Sequence, residues 1–212
     1  MKNFTFVAAL MLTAGVSIQA ASISLQGTWI NDDQVQEFTV ILGIPGQLTA
    51  QTFSYAGGDD GLGHVIARGA FDPVLTLFDG SGNFRTMNND GACGTVEKDS
   101  VTLNCFDFYL SLNLAAGTYV LALTENDNLA VGPTAADGFT QAGNGDFTCP
   151  EFMGTAGAFC DASLNQRNAS FALTIDTPGA RTLEPSSAFL ILSGAAICGA
   201  ARKYLSATLR KS

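Results

Sequence analysis

The sequence predicts an all-β body, an antiparallel β-sandwich of jelly-roll type, with an N-terminal signal helix and a single hydrophobic helix at the C-terminus. Three observations carry this reading. Apolar and polar residues alternate over several short runs, Gly, Asp and Asn turns separate those runs, and no segment between Ala21 and Gly179 shows a helical stripe. Only the two ends of the chain are continuously apolar.

The N-terminal end comes first. Lys2 gives a positive start, Phe4 to Val16 is almost wholly apolar, and Ser17-Ile18-Gln19-Ala20 ends in a small residue. That layout predicts a secretory signal peptide over residues 1–20, cut by signal peptidase after Ala20. No Cys lies near the cut, which argues against a lipoprotein.

Strands are expected next. Shorter runs cover Val35 to Leu42, Gln47 to Phe53 and Val74 to Phe78. A strong run follows, in which Phe108, Leu110, Leu112 and Leu114 alternate with Tyr109, Ser111 and Asn113. Tyr119, Leu121 and Leu123 form the next, with Ala115-Ala116-Gly117 expected as a hairpin turn between the two. Ala169, Phe171, Leu173 and Ile175 form the last. Most of the fifteen Phe are then core residues, among them Phe38, Phe78, Phe108 and Phe171. Two stretches, 56–69 and 129–166, are expected as long loops.

Four cysteines fall in the body, Cys93, Cys105, Cys149 and Cys160, and Cys198 lies in the apolar tail. An even number in an exported chain predicts two disulfides. Three pairings are possible; the local one, Cys93–Cys105 with Cys149–Cys160, closes two short loops. Each bridge would stabilise by about 3 kcal/mol through chain entropy. Cys-x-x-Cys spacing or His partners, which a cysteine metal cluster needs, do not occur.

At the far end, Ala188 to Ala201 is apolar or small throughout. Those residues cover about 21 Å as a helix, short of a hydrocarbon core about 30 Å thick. A helix over 186–205 would span, with Arg202 and Lys203 reaching the surface. Arg202, Lys203, Arg210 and Lys211 all follow the apolar run, so the positive-inside rule leaves this tail in the cytoplasm and the rest outside.

Residues 21–180 carry eighteen acids against four bases, Arg68, Arg85, Lys98 and Arg167, a balance of −14. Such a surface repels nucleic-acid phosphates and anionic lipid headgroups, so no nucleic-acid partner is expected. Divalent cations, or solubility alone, suit it better.

Two resemblances add to these readings. Glu184-Pro185-Ser186-Ser187, then an apolar stretch, then basic residues, resembles a bacterial PEP-CTERM sorting tail, with Leu183-Glu184-Pro185 where that family usually has Pro-Glu-Pro. The resemblance implies cutting near Glu184, Pro185 and Ser186 by an exosortase-type peptidase. It also implies a transient inner-membrane anchor, then release or transfer at the cell surface. The chain then divides into a signal peptide (1–20), a β-domain (21–180) and a sorting tail (181–212). The second resemblance rests on FDPVLTLFDGSGNFRTMNNDG (Phe71 to Gly91) and YLSLNLAAGTYVLAL (Tyr109 to Leu123). These are similar to the paired signatures of bacterial pre-peptidase C-terminal (PPC) domains. That likeness covers about a third of the domain and implies a β-sandwich that binds matrix or glycans or assists export.

The candidate chemistry is acidic. Asp72, Asp79, Asp90 and Asp107 flank strands expected to be neighbours, with Asn83, Asn88 and Asn89 nearby. Oxygen-rich loops suit Ca²⁺, which takes six to eight oxygen ligands in irregular geometry. Asp79-Gly80-Ser81-Gly82-Asn83 lacks the closing Glu of an EF-hand, and Asp and Asn also make turns without any metal. His64 is the single histidine, in GGDDGLGHV. No Gly-x-Ser-x-Gly turn presents a serine, and the adjacent Asp59 and Asp60 point apart in extended chain. Gly57, Gly58, Gly61 and Gly63 have no following Lys-Ser/Thr to make a phosphate cradle. Trp29 and Tyr55 are candidate sugar-stacking aromatics, with core packing as the competing role.

The expected protein is a non-catalytic cell-surface or extracellular-matrix component. A calcium-assisted carbohydrate-binding module with an exopolysaccharide partner is the alternative, and a secreted hydrolase is third. A cleft holding His64 with two facing carboxylates would promote the hydrolase.

Overall fold

The computed structural model describes residues 21–178. The strands are β1 (Ala21–Thr28), β2 (Gln36–Leu42), β3 (Gly46–Thr52), β4 (Gly58–Asp59), β5 (Val65–Ile66), β6 (Pro73–Asp79), β7 (Phe84–Asn88), β8 (Tyr109–Leu114), β9 (Gly117–Glu125) and β10 (Ser170–Thr177). Eight of them form two four-stranded antiparallel sheets, ordered β1-β10-β3-β8 and β2-β9-β6-β7; β4 and β5 make a small separate hairpin. The all-β sandwich holds. The predicted signal helix, the sorting motif Glu184-Pro185-Ser186 and the hydrophobic helix over 186–205 lie outside the described residues. Within those residues, no helix is long and apolar enough to cross a membrane.

Period-two alternation works here because alternate side chains leave opposite faces of a strand. Leu48 and Ala50 of β3, Leu110 of β8 and Leu173 and Ile175 of β10 point inward from the first sheet. Val40 and Leu42 of β2, Leu75 and Leu77 of β6 and Tyr119, Leu121 and Leu123 of β9 point inward from the second. They meet in one buried cluster. Burying a Leu or Val side chain stabilises by roughly 1.5–3 kcal/mol, so this interleaved layer holds the sheets together.

One expectation needs correcting. Ala115-Ala116-Gly117 is not a hairpin turn, because β8 pairs with β3 in the first sheet while β9 pairs with β2 and β6 in the second. The apolar faces of both strands look into the same core, so the chain must cross from one sheet to the other at Ala115-Ala116. The hairpin of this half of the fold is β6–β7, closed at Asp79 to Asn83.

The loops also pack. The segment after β9 roofs the outer face of the second sheet, where Phe78 and Ala122 lie under Phe139, with Val35, Ala130 and Ala135 at their edges. β6 is therefore buried on both faces for most of its length. A short helix, α1 (Thr148–Met153), ends at Gly154, whose φ of 64° is left-handed. The buried Asp32 carboxylate holds the start of α1, accepting N–H bonds from Phe147 (3.1 Å) and Thr148 (2.9 Å). The disulfides are the local pair, Cys93–Cys105 and Cys149–Cys160.

Candidate functional site

Both ends of the described body lie at one pole of the sandwich, since Ala21 faces Thr177 in the β1–β10 register. Most of the buried acids gather at the other pole, where β6 begins and β9 ends, while Asp60 lies apart on the β4–β5 hairpin beside Ser24. Among the described residues, Asp32, Asp60, Asp72, Asp99, Asp107, Glu125 and Asp161 are buried, and Arg167 is the buried base.

Most of these acids are satisfied within the protein. Asp107 accepts the N–H groups of Ser54 (2.7 Å), Tyr55 (3.0 Å) and Ala56 (2.8 Å). Burial still pushes its carboxyl up, against the pull of those bonds. Asp99 is also desolvated, but the Arg68 fork (2.8 Å from both Nε and Nη2) and the N–H groups of Thr102 and Val101 outweigh that and hold it well below the usual range. Asp161 accepts the Tyr55 hydroxyl at 2.7 Å. Burial, reinforced by that bond, pushes the Tyr55 phenol up to about 12, against the opposing influence of Thr102, Asn104 and Arg167. Arg167 lies over the Tyr55 ring, 3.7 Å from its centroid, and donates to the carbonyls of Ala70 (2.9 Å) and Tyr55 (2.6 Å).

Asp72 and Glu125 differ. The antiparallel β6–β9 register sets Glu125 opposite Pro73, and the Asn126 N–H donates to the Asp72 carbonyl at 2.8 Å. Glu125 is fully buried and Asp72 is 2% exposed. Both Glu125 carboxylate oxygens and Asp72 Oδ1 have no hydrogen-bond partner. Burial, then the Asp72 charge, pushes the Glu125 carboxyl well up; the nearby Asp72 N–H opposes this without making a proper hydrogen bond. Burial, then the charges of Asp90, Asp161 and Asp107, does the same to Asp72, with Arg167 opposing. At the end of the neighbouring β7, Asn88 Oδ1 and Asn89 Oδ1 are also buried without partners, and Asn89 Nδ2 donates to Asn126 Oδ1 at 3.2 Å.

The four aspartates proposed from sequence do not form one site. Asp79 closes β6 at the pole away from Asp72, about 23 Å along the strand. Its carboxylate is spent on the turn, accepting from Ser81 N–H (2.9 Å), Asn83 N–H (3.0 Å) and the Asn83 amide. Asp107 is committed to three backbone donors. Asp72 and Asp90 do share a neighbourhood, with Asp90 exposed at its rim. Among the described residues, no three His, Cys, Asp or Glu side chains form a ready metal cluster.

Trp29 and Tyr55 do not make an exposed sugar platform. Trp29 is 5% exposed and stacks on Phe71 at 4.3 Å, and Tyr55 is fully buried under Arg167. Trp29 follows β1 and packs on Phe71 and Phe171, and Tyr55 follows β3, where Thr102 and Asp161 meet its hydroxyl. His64 stands half-exposed on the β4–β5 hairpin with Nδ1 2.7 Å from Asp60 Oδ2. A shallow groove of about 420 Å³ beside β1 and β10 is lined by Gln26, Thr28, Ser54, Asn168, Ser170 and Phe171 among others, without His64 or any acid.

Sequence reading missed Glu125 and Arg167 although the signal was present. Glu125 continues the inward phase of Tyr119, Leu121 and Leu123, and Arg167 continues that of Ala169, Phe171, Leu173 and Ile175. A charged residue in phase with a core stripe is a buried charge, and buried charges need partners. Comparison of the sequence with protein-family models and with curated proteins gives no match.

Proposed function

We propose that this protein is an exported, non-catalytic component of the cell surface or extracellular matrix, freed of its signal peptide and sorted through residues 181–212. The observation that carries this reading is the pair of disulfides in the folded body, which form and persist in oxidising compartments. An apolar stretch at each end of the sequence supplies the means of export and anchoring. The strand order supports the PPC-like reading: β1-β10-β3-β8 against β2-β9-β6-β7 is that of an eight-stranded jelly roll with two Greek keys.

Trp29 and Tyr55 have no role in this reading beyond packing.

The test is processing. Full-length protein produced in a bacterium that carries an exosortase-type peptidase is expected at the surface or in the medium. Intact mass should place its N-terminus at Ala21, its C-terminus near Glu184, and two disulfides within. Replacing Glu184 and Pro185 by Ala should trap an uncut form in the membrane. An intact chain in the cytosol with all its thiols free overturns the reading.

A further inference from the structure

We propose that Glu125 and Asp72 bind one divalent cation of the calcium class, completed by side-chain oxygens from the end of β7, and that this ion pins together the ends of β6, β7 and β9. Export and sorting play no part in this inference.

It rests on uncommitted oxygens. Glu125 offers two and Asp72 one, all buried and without a hydrogen-bond partner. An isolated buried carboxylate is among the costliest groups a fold can carry, so the usual solutions are a base, a set of N–H donors, or a metal. The other buried acids at this pole use the first two. Arg68 takes Asp99, and backbone N–H groups take Asp107, Asp32 and Asp161, the last with the Tyr55 hydroxyl in addition. Arg167, the buried base, is aimed at the Ala70 and Tyr55 carbonyls instead. Neither a base nor an N–H donor reaches the Glu125 oxygens or Asp72 Oδ1, which leaves protonation or a ligand from outside the chain, and the oxygens around the pair favour the ligand.

The chemistry of the donors selects that ligand. All are oxygens, with no His or Cys, which excludes a preference for zinc and suits calcium. Two carboxylates balance a double positive charge. Asn88 Oδ1, at the end of β7, and Asn89 Oδ1, just past it, are likewise buried and unpartnered, and amide oxygens are ordinary calcium ligands. The neighbouring Asp90 is exposed, and its negative charge draws cations to this edge of the sheet. Calcium tolerates an irregular set completed by water, so three converging carboxylates are not required.

The test uses the purified mature protein, stripped with chelator and desalted. Calorimetric titration with CaCl₂ should show one ion per chain. Calcium at about a hundred times its dissociation constant should raise Tm by about 8 °C over chelator, given roughly 3 °C per kcal/mol for a body of this size. Glu125→Gln and Asp72→Asn should each abolish the shift and the titration heat, while Asp79→Asn should keep both. The Asn variants of Asp72 and Asp79 are nearly isosteric, so at least one comparison survives should E125Q fail to fold. No binding to the wild-type protein, with Tm equal in calcium and chelator, overturns the proposal and leaves a protonated or hydrated acid pair. Binding that persists in D72N, or is lost in D79N, overturns the location.

Discussion

Replacing Arg167 with Met tests whether the buried polar pole holds the sandwich closed. The guanidinium is 3% exposed, with Asp99 Oδ2 at 3.6 Å and Asp161 Oδ2 at 3.9 Å. Methionine keeps much of the volume but removes two charge-assisted hydrogen bonds, each worth about 1.5–3 kcal/mol. It also removes the stacking on Tyr55, which adds up to about 2 kcal/mol where water is excluded. Asp99 keeps Arg68 and Asp161 keeps the Tyr55 hydroxyl, so neither acid is left bare. The loss is therefore about 3–8 kcal/mol, about 3–6 from the two hydrogen bonds and up to about 2 from the stacking. At roughly 3 °C per kcal/mol, Tm should fall by about 9–24 °C. Scanning calorimetry or circular dichroism at neutral pH measures it, with urea midpoints as a check. Arg167→Lys should recover less than half of the loss, because one ammonium cannot reach two carbonyls in fork geometry. A fall in R167M of under about 3 °C would refute the reasoning, since the network would then bear little of the fold's stability.

The two disulfides should respond differently to a reductant under native conditions. Cys149 and Cys160 are fully buried, whereas Cys93 is exposed, so alkylation and mass spectrometry should find Cys93–Cys105 reduced first and Cys149–Cys160 intact until the protein unfolds. Asp99, held below its usual range, contributes stability that is complete above the unfolded carboxylate pKa of about 4 and is lost as pH falls through its lowered folded value. Asp99→Asn should therefore melt earlier than wild type at neutral pH, and the gap should close as pH drops below about 4.

Much of the body was legible from alternation. β2, β3, β8, β9 and β10 all show inward apolar positions two residues apart, and the structure places each within a residue or two of its expected span. β1 does not stand out in the sequence, because Ala21-Ser22-Ile23-Ser24-Leu25 follows directly on the apolar leader and merges with it. The roof over the second sheet was also hidden. Phe139 and Ala130 sit in a polar loop and gain burial only from Phe78 and Ala122 beneath them. The helix α1 spans Thr148–Met153, too short to display a stripe. The candidate site was half legible. Asp72 and Asp90 were named, but Asp79 and Asp107 share their residue type while serving as turn and strand-end acceptors. Sequence gives the composition of a loop, whereas the hydrogen-bond partners that spend or spare a carboxylate come from distant segments.

The pairing of Ala21 with Thr177 has a geometric consequence. The two ends of the described body leave it on the same side, about 25 Å of strand away from the cysteine-bridged loops. A molecule moored by one end would thus hold its opposite cap, with its crosslinks and concealed acids, outward and unobstructed. Neighbours moored alike would present identical caps in a common direction.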